Sequence, residues 1–328
     1  MSVSAWSRPL IMSGPATSRP VIIAGVDGGD AGLRAVDYAV VEAQLYDAAL
    51  VIAHVVDQHA LLGIAVPAGR RKALLAAGHS AAQAGLRRAA ATGFPRGRIT
   101  TEVSVGRPAE TLAVLSADAA EMVVGRRDLN GVERLFAGST SISLASRVSC
   151  RLIIVPQEWD PAHRNSGTGG IVAGIDGARE SLPVLREAFE QASSRRCELS
   201  VIYAFEPPTF NFAGVAEYQD ALHEWMALAD LTIAETIAAF DSDYPDVVVH
   251  RRFVRNNPVT ALLSCSLDTD LLIIGVRGRG ASSGLRVGGV ARAVVAGAEC
   301  PLALIAKSAE DRHPRDGLEE EDVEVNIG

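Results

Sequence analysis

The chain says nearly the same thing twice. Asp27 in VIIAGVDGG returns as Asp176 in IVAGIDGAR, 149 residues later. Gly125 in MVVGRRD returns as Gly275 in LIIGVRG at an offset of 150, and the pairs Gly138/Gly288 and Cys150/Cys300 keep that offset. A repeat this long is a whole folding unit, because supersecondary units repeat every ~20–50 residues. The length of 328 residues agrees, since about 150 residues per unit predicts two, each long enough for a core of its own. The chain therefore divides into an N-terminal tail (1–18), a first domain (19–157), a linker (158–169), a second domain (170–307) and an acidic C-terminal tail (308–328). The linker, EWDPAHRNSGTG, carries the Pro, Gly and polar residues of a connection.

Within each half, apolar runs alternate with helical patterns. The first half predicts strands at 21–26, 49–56, 100–105, 121–125 and 151–156, and helices at 31–46, 71–92, 108–118 and 139–148. Leu33, Val36, Val40 and Ala43 share one face of the first helix. Pro108 opens its helix where a missing N–H costs little. The second half predicts strands at 171–175, 199–205, 247–253, 271–276 and 302–306, with helices at 180–194, 215–240, 258–266 and 288–297. Residues 58–70 and 206–218 read as loops. Strands that are apolar throughout and separated by helices predict an α/β fold: a parallel sheet with helices on both faces.

Charge narrows the function classes. The net charge is -8, but eight acids against Arg312 and Arg315 put -6 of it between Ser308 and Gly328. The folded body is close to neutral, which argues against nucleic-acid binding through a basic face. The tail reads as a solvated segment. Four cysteines without CxxC spacing fit a reduced compartment. Residues 1–18 hold no apolar core of signal-peptide length, and no run approaches the ~20 apolar residues of a membrane span. A soluble cytoplasmic protein is the expectation.

Two features carry chemistry. Asp27 and Asp176 end the first strand of their halves, and in an open α/β sheet ligands sit beyond those strand ends. Asp is also a favoured N-cap, so capping of the next helix remains an alternative. The second feature is Gly275-Val-Arg-Gly278, after a strand, followed by Gly288 and Gly289, opening a helix. Glycines let backbone N–H groups approach a ligand closely, and a helix N-terminus favours an anion such as phosphate.

With this spacing the chain resembles the universal stress protein family, whose ATP-binding members carry Gly-x2-Gly-x9-Gly-Ser/Thr. The stretch GVRGRGASSGLRVGGVARAVV (275–295), then CPLALI (300–305), is similar to tandem actinobacterial members, and the likeness covers about 20–157 and 170–307. The resemblance implies two Rossmann-like domains of the adenine nucleotide alpha hydrolase type, each with a five-stranded parallel sheet. It implies ATP as ligand, with or without Mg2+, and adenine and ribose contacts at Asp27 and Val55 and at Asp176 and Ala204. Phosphate contacts map to Gly125, Gly138, Ser139 and Thr140, and to Gly275, Gly278, Gly288, Gly289 and Val290. It also implies that the halves pair near their fifth strands as an internal pseudo-dimer, which can dimerise again.

Both halves depart from that pattern. Asp128 stands at the second glycine of the first half, and a carboxylate beside a triphosphate is repulsive unless a metal bridges them. Gly289 stands where the family has Ser or Thr, which loses one hydroxyl contact of about 1 kcal/mol but keeps the N–H. The second half is the better nucleotide site on these magnitudes. Arg126, Arg127, Arg277 and Arg279 either face phosphates or are only solvated.

Other signals are discounted. Gly280-Ala-Ser282-Ser-Gly284 has a nucleophile-elbow spelling without the direct strand-to-helix turn that the elbow needs. The histidines show no metal spacing, and His54 reads as a satisfied core residue. Cys150 and Cys300 read as packing residues. The expectation is a nucleotide-binding stress regulator or sensor without dedicated catalysis. The rivals are a nucleotide-free scaffold and a slow ATPase using Asp128 and a metal.

Overall fold

Why the apolar runs are strands is plain from their burial. Ile22, Ile23, Ala24, Met122, Val123, Leu152 and Ile153 are at most 1% exposed, and so are Ile171, Ala173, Leu271, Leu272 and Ile273. Only a central strand covered on both faces buries consecutive side chains like this. Each such Ile or Leu contributes roughly 1.5–3 kcal/mol on burial. The structure, a computed structural model, describes residues 19–61, 68–127, 139–160, 169–177, 181–206, 215–277 and 287–306. The N-terminal tail, the acidic tail and residues 161–168 of the linker lie outside the described residues, as do Asp128, Gly138, Gly278, Arg279 and Ser282.

The first half contains β1 (Val21–Gly25), α1 (Asp30–Leu45), β2 (Ala49–Asp57), α2 (Ala68–Ala91), β3 (Ile99–Gly106), α3 (Pro108–Leu115), β4 (Glu121–Gly125), α4 (Ser139–Ala145) and β5 (Arg151–Val155). The second contains β6 (Ile171–Ile175), α5 (Leu182–Arg195), β7 (Leu199–Phe205), α6 (Val215–Ala238), β8 (Val249–Arg255), α7 (Pro258–Cys265), β9 (Leu271–Gly275), α8 (Gly289–Gly297) and β10 (Leu302–Ile305). The ten strands form one sheet in the order β3-β2-β1-β4-β5-β10-β9-β6-β7-β8. Within each half all described pairs are parallel; Ile23, for example, pairs with Val51 and with Met122. The halves join where β5 runs antiparallel to β10, with Ala303 opposite Ile153. Helices α1, α2, α5 and α6 cover one face of the sheet in one apolar cluster, while α3, α4, α7 and α8 supply the cluster on the other.

Several boundaries moved. The helix expected from 71 begins at Ala68, inside the expected loop 58–70, and a 3-10 turn occupies Gln58–Ala60. The strand expected at 247–253 lies two residues later. The Val247 N–H donates to the Tyr244 carbonyl at 3.2 Å, so residues 244–247 are held in a turn. The helix expected at 139–148 stops at Ala145, because the Arg147 and Val148 N–H groups both turn back to the Leu144 carbonyl. His54 is half-buried, with Nδ1 2.8 Å from the Val26 carbonyl, as a satisfied core residue should be. Burial pushes the Cys150 and Cys300 thiols up to about 12, which keeps them protonated and fits packing over redox chemistry.

A charged cluster sits under the junction, at the start of β4 and β5. Arg195 of α5 donates to both oxygens of Glu42 of α1, at 2.8 and 2.9 Å. Arg151 lies between Glu121, at 2.6 Å, and Glu187. Gln191 links Glu187 to Arg195. Three carboxylates thus share two guanidiniums. Glu121 is fully buried, and one of its oxygens, Oε1, has no partner among the described residues. Burial pushes its carboxyl up to about 7 against the pull of Arg151.

Candidate functional site

The strand order reverses between β1 and β4 and again between β6 and β9. At such a reversal the neighbouring connections leave in opposite directions, and a crevice opens beyond the strand ends. In the second half that crevice is a cavity of about 440 Å3, within the usual ~300–1,000 Å3 of small-molecule sites. Ile175, Ile202, Tyr203, Leu262 and Ile274 give it apolar walls. Its polar groups come from two places: Asp176 and Ser181 at the β6–α5 connection, and Arg277 with Gly288, Gly289 and Val290 at the β9–α8 connection.

Six residues singled out in the second half converge on this cavity: Asp176, Ala204, Gly275, Gly288, Gly289 and Val290. Gly278 lies outside the described residues. Arg277 joins the lining. Helix α8 enters without a side-chain cap. Its N-cap Gly288 donates its own N–H back to the Val276 carbonyl at 2.9 Å. The first N–H groups of a helix have no partner within the helix, and here they open on the cavity. A Cβ on Gly289 would meet no atom of the described residues within 4 Å.

Ser181 directly precedes α5 and makes no side-chain cap bond to it, and residues 178–180 lie outside the described residues. The Ser181 hydroxyl donates to Asp176 Oδ1 at 2.9 Å and accepts the Asp176 N–H at 3.3 Å. Ser181 is 5% exposed and was not among the residues expected from the sequence. The repeated Asp-Gly has a backbone cause as well. Gly28 and Gly177 hold φ of +87° and +74°, which an L side chain rarely adopts.

The first half places its residues differently. Asp27 Oδ1 accepts the Gly29 N–H at 3.0 Å, and its other oxygen is bound by Arg127. Burial works against this carboxylate, but the Gly29 N–H and Arg127 prevail and hold it below the ordinary carboxylate range. Arg127 therefore faces a carboxylate of its own chain. Arg126 is 7% exposed and points across the junction. It donates to the Ala298 carbonyl at 2.6 Å and the Val295 carbonyl at 3.3 Å, at the C-terminus of α8, and to Glu158 at 3.0 Å. A cation is well placed at that end of a helix. Arg126 is thus neither solvated nor facing phosphate. Gly125 lacks a side chain because α1 presses on it, and a Cβ there would lie 1.9 Å from the Ala31 carbonyl oxygen. Val55 is half-buried in β2, Ser139 opens α4, and Thr140 is exposed. Among the described residues, no group of three His, Cys, Asp or Glu is placed to hold a metal. No helix among them is long and apolar enough to cross a membrane.

Known proteins share this repeat and this fold. The model of the universal stress protein family matches residues 19–156 and again 169–306. A universal stress protein of Mycobacterium tuberculosis is 29% identical over 318 residues, covering 88% of this chain and 96% of the relative. One from Mycolicibacterium smegmatis is 30% identical over 291 residues, covering 87% and 96%. The crystal structure of a universal stress protein from Archaeoglobus fulgidus shares the fold with a TM-score of 0.67 at 15% identity, covering 90% of this chain and 98% of that one. The chain belongs to the universal stress protein family and carries the family's domain twice.

Proposed function

We propose that this protein binds an adenine nucleotide, ATP in the first instance, in the second-half cavity and acts as a stress-response regulator or sensor without dedicated catalysis. The observation that carries the reading is the convergence of Asp176 with the N-terminus of α8, whose N-cap is a glycine, on one apolar-walled cavity at the strand reversal. A flat ring suits the walls of Ile175, Ile202, Tyr203 and Leu262. Asp176, oriented by Ser181, accepts hydrogen bonds from sugar hydroxyls. The α8 N–H groups and Arg277 take phosphate oxygens. A magnesium ion, when it accompanies the nucleotide, is held chiefly by the phosphates. Among the described lining residues, Asp176 and Ser181 are bonded to each other and no histidine or cysteine joins them, and turnover is expected to be slow.

The first half is proposed to serve as scaffold. Its Asp27 is engaged by Arg127, and its Arg126 is spent on the junction. The two halves would then behave as an internal pseudo-dimer joined at β5 and β10, in a cytoplasmic protein.

Mass spectrometry of gently purified protein, with a thermal-shift titration in ATP and magnesium, tests the reading. Co-purifying adenine nucleotide and saturable stabilisation are expected; ligand at 100 times Kd gives about 2.7 kcal/mol. No bound nucleotide together with no shift at millimolar ATP would sink it. Turnover lost on Asp128→Ala would favour an enzyme.

A further inference from the structure

Helices α2 and α6 hold the same place in the two halves and carry opposite charge. Helix α2 contains Arg70, Arg71, Lys72, Arg87 and Arg88 and no acid. Helix α6 contains Glu217, Asp220, Glu224, Asp230 and Glu235 and no Lys or Arg. Arg88 and Asp230 are committed within the chain, to Asp37 at 2.8 Å and to Arg251 at 3.3 Å. The other charges follow a pattern. Asp220, Glu224, Leu228, Leu231 and Glu235 are all exposed, and their steps of four, four, three and four place them on one face of α6. Leu228 and Leu231 are 65% and 56% exposed, among the most exposed large apolar residues described. The opposite face of α6 buries Leu222, Ile233 and Ile237 in the core.

The exposed face of α2 repeats that spacing with complementary chemistry. Lys72, Ala76, Ser80, Gln83 and Arg87 are all exposed and follow the same steps. Cations stand at both ends, where α6 has acids. Small residues stand in the middle, where α6 has leucines. An antiparallel packing sets Lys72 against Glu235 and Arg87 against Asp220, with Leu231 and Leu228 over Ala76 and Ser80.

The two faces cannot meet within one chain. Helix α2 packs on β2 and β3 at one end of the sheet, and α6 reaches β8 at the other through the ion pair of Asp230 with Arg251. Both helices belong to the same covering layer. A two-fold rotation that brings α2 onto the partner's α6 also brings α6 onto the partner's α2, which closes the assembly at two copies. Pairing α6 with α6 would set acid against acid instead. We propose that the outer face of α6 is a self-association surface, occupied by the basic outer face of α2 from a second copy of this chain. Complementary charge selects the partner and the orientation, and the leucine pair supplies the apolar contact.

Sedimentation equilibrium of the full chain tests this, with thermal melts to confirm that each variant stays folded. The wild type is expected to be a dimer at micromolar concentration in low salt, with dissociation increasing as salt screens the paired ends. Leu228→Glu with Leu231→Glu should weaken the dimer at least tenfold while leaving the melt unchanged. Lys72→Glu with Arg87→Glu should give monomers, and so should Asp220→Lys with Glu235→Lys. An equimolar mixture of those two charge-reversed proteins should recover a dimer, because both of its α2–α6 contacts again join opposite charges. A mixture that stays monomeric overturns the proposal. So does a wild-type monomer at tens of micromolar, or a dimer indifferent to all these variants.

Discussion

The two halves share a framework and differ at both ends of it. At the C-terminal ends of the strands, Arg126 and Val276 hold equivalent places. Each donates its N–H to the fifth strand of its half, Arg126 to Val155 and Val276 to Ile305, and each is buried. Val276 stays in the apolar cluster beside the cavity, whereas Arg126 crosses to the C-terminus of α8. At the N-terminal ends, Glu121 pairs with Ile22 where Leu271 pairs with Ile171. At these two equivalent places the first half carries buried charge, and the second carries apolar residues, one of them beside the cavity. One copy of the repeat supplies Arg126 to the junction, and the other lines the cavity. Helix α8 serves both purposes, with its N-terminus on the cavity and its C-terminus on Arg126.

The largest effect expected from this asymmetry is on stability against pH. An unfolded glutamate titrates near 4.5, and buried Glu121 titrates at about 7. The folded state therefore holds the proton more tightly. Its contribution is fully present below 4.5, is lost as pH rises through 7, and is flat above that. The size is on the order of 1–3 kcal/mol, since a unit of pKa is about 1.4 kcal/mol. Urea melts from pH 4.5 to 8 should show stability falling over that window. Glu121→Gln should flatten the fall. An unchanged slope in that variant would mean that another group carries the pH dependence.

The next effect separates ligand from fold. Gly289→Asp puts a carboxylate at the start of α8, where helix chemistry favours it and space is open. The variant should keep or slightly raise the melting temperature of the free protein. It should also weaken ATP binding by roughly 30-fold, about 2 kcal/mol, by repelling phosphate. Titration calorimetry decides this, and unchanged affinity would place the phosphates elsewhere.

What the sequence made legible follows from the range of each interaction. The strands β4, β6 and β7 fall at their expected limits, because a run such as LSVIYAF is buried on both faces and states its own role. Strand β8 was placed two residues early, since VHRRFVR lies at the sheet edge and carries exposed arginines that blur its start. In the site, Asp176 and Gly288 were readable from their spacing in the repeat. Arg126 was not, because its partners Val295 and Ala298 lie about 170 residues away, and nothing local distinguishes a buried guanidinium from a solvated one. Ser181 was missed because its importance lies in a hydrogen bond to a residue five positions back, across the turn.

Arg126→Met probes the junction with a somewhat smaller effect. Methionine fills much of the volume but cannot donate to Ala298, Val295 or Glu158. Losing charged hydrogen bonds at a helix C-terminus should cost about 1–2 kcal/mol of stability. If α8 is held by the first half, ATP affinity in the second should fall a few-fold as well, with partial recovery in Arg126→Lys. Stability lost with affinity intact would show that the two ends of α8 act independently.

The smallest effect compares the two aspartates through their partners. Ser181→Ala removes a neutral donor to Asp176, a loss of about 0.5–1.5 kcal/mol, so ATP should bind roughly three- to ten-fold more weakly. In an Asp176→Ala background the same change should do almost nothing, because the hydroxyl acts only by orienting that carboxylate. Asp27→Ala in the first half is the matched control. It frees Arg127, whose side chain is 65% exposed against 28% for Asp27, and an ion pair open to solvent on one side contributes little. Nucleotide affinity should stay within two-fold of the wild type. A loss at Asp27 equal to that at Asp176 would make the first half a binding site too, and Arg127 would then be a side chain that ATP displaces.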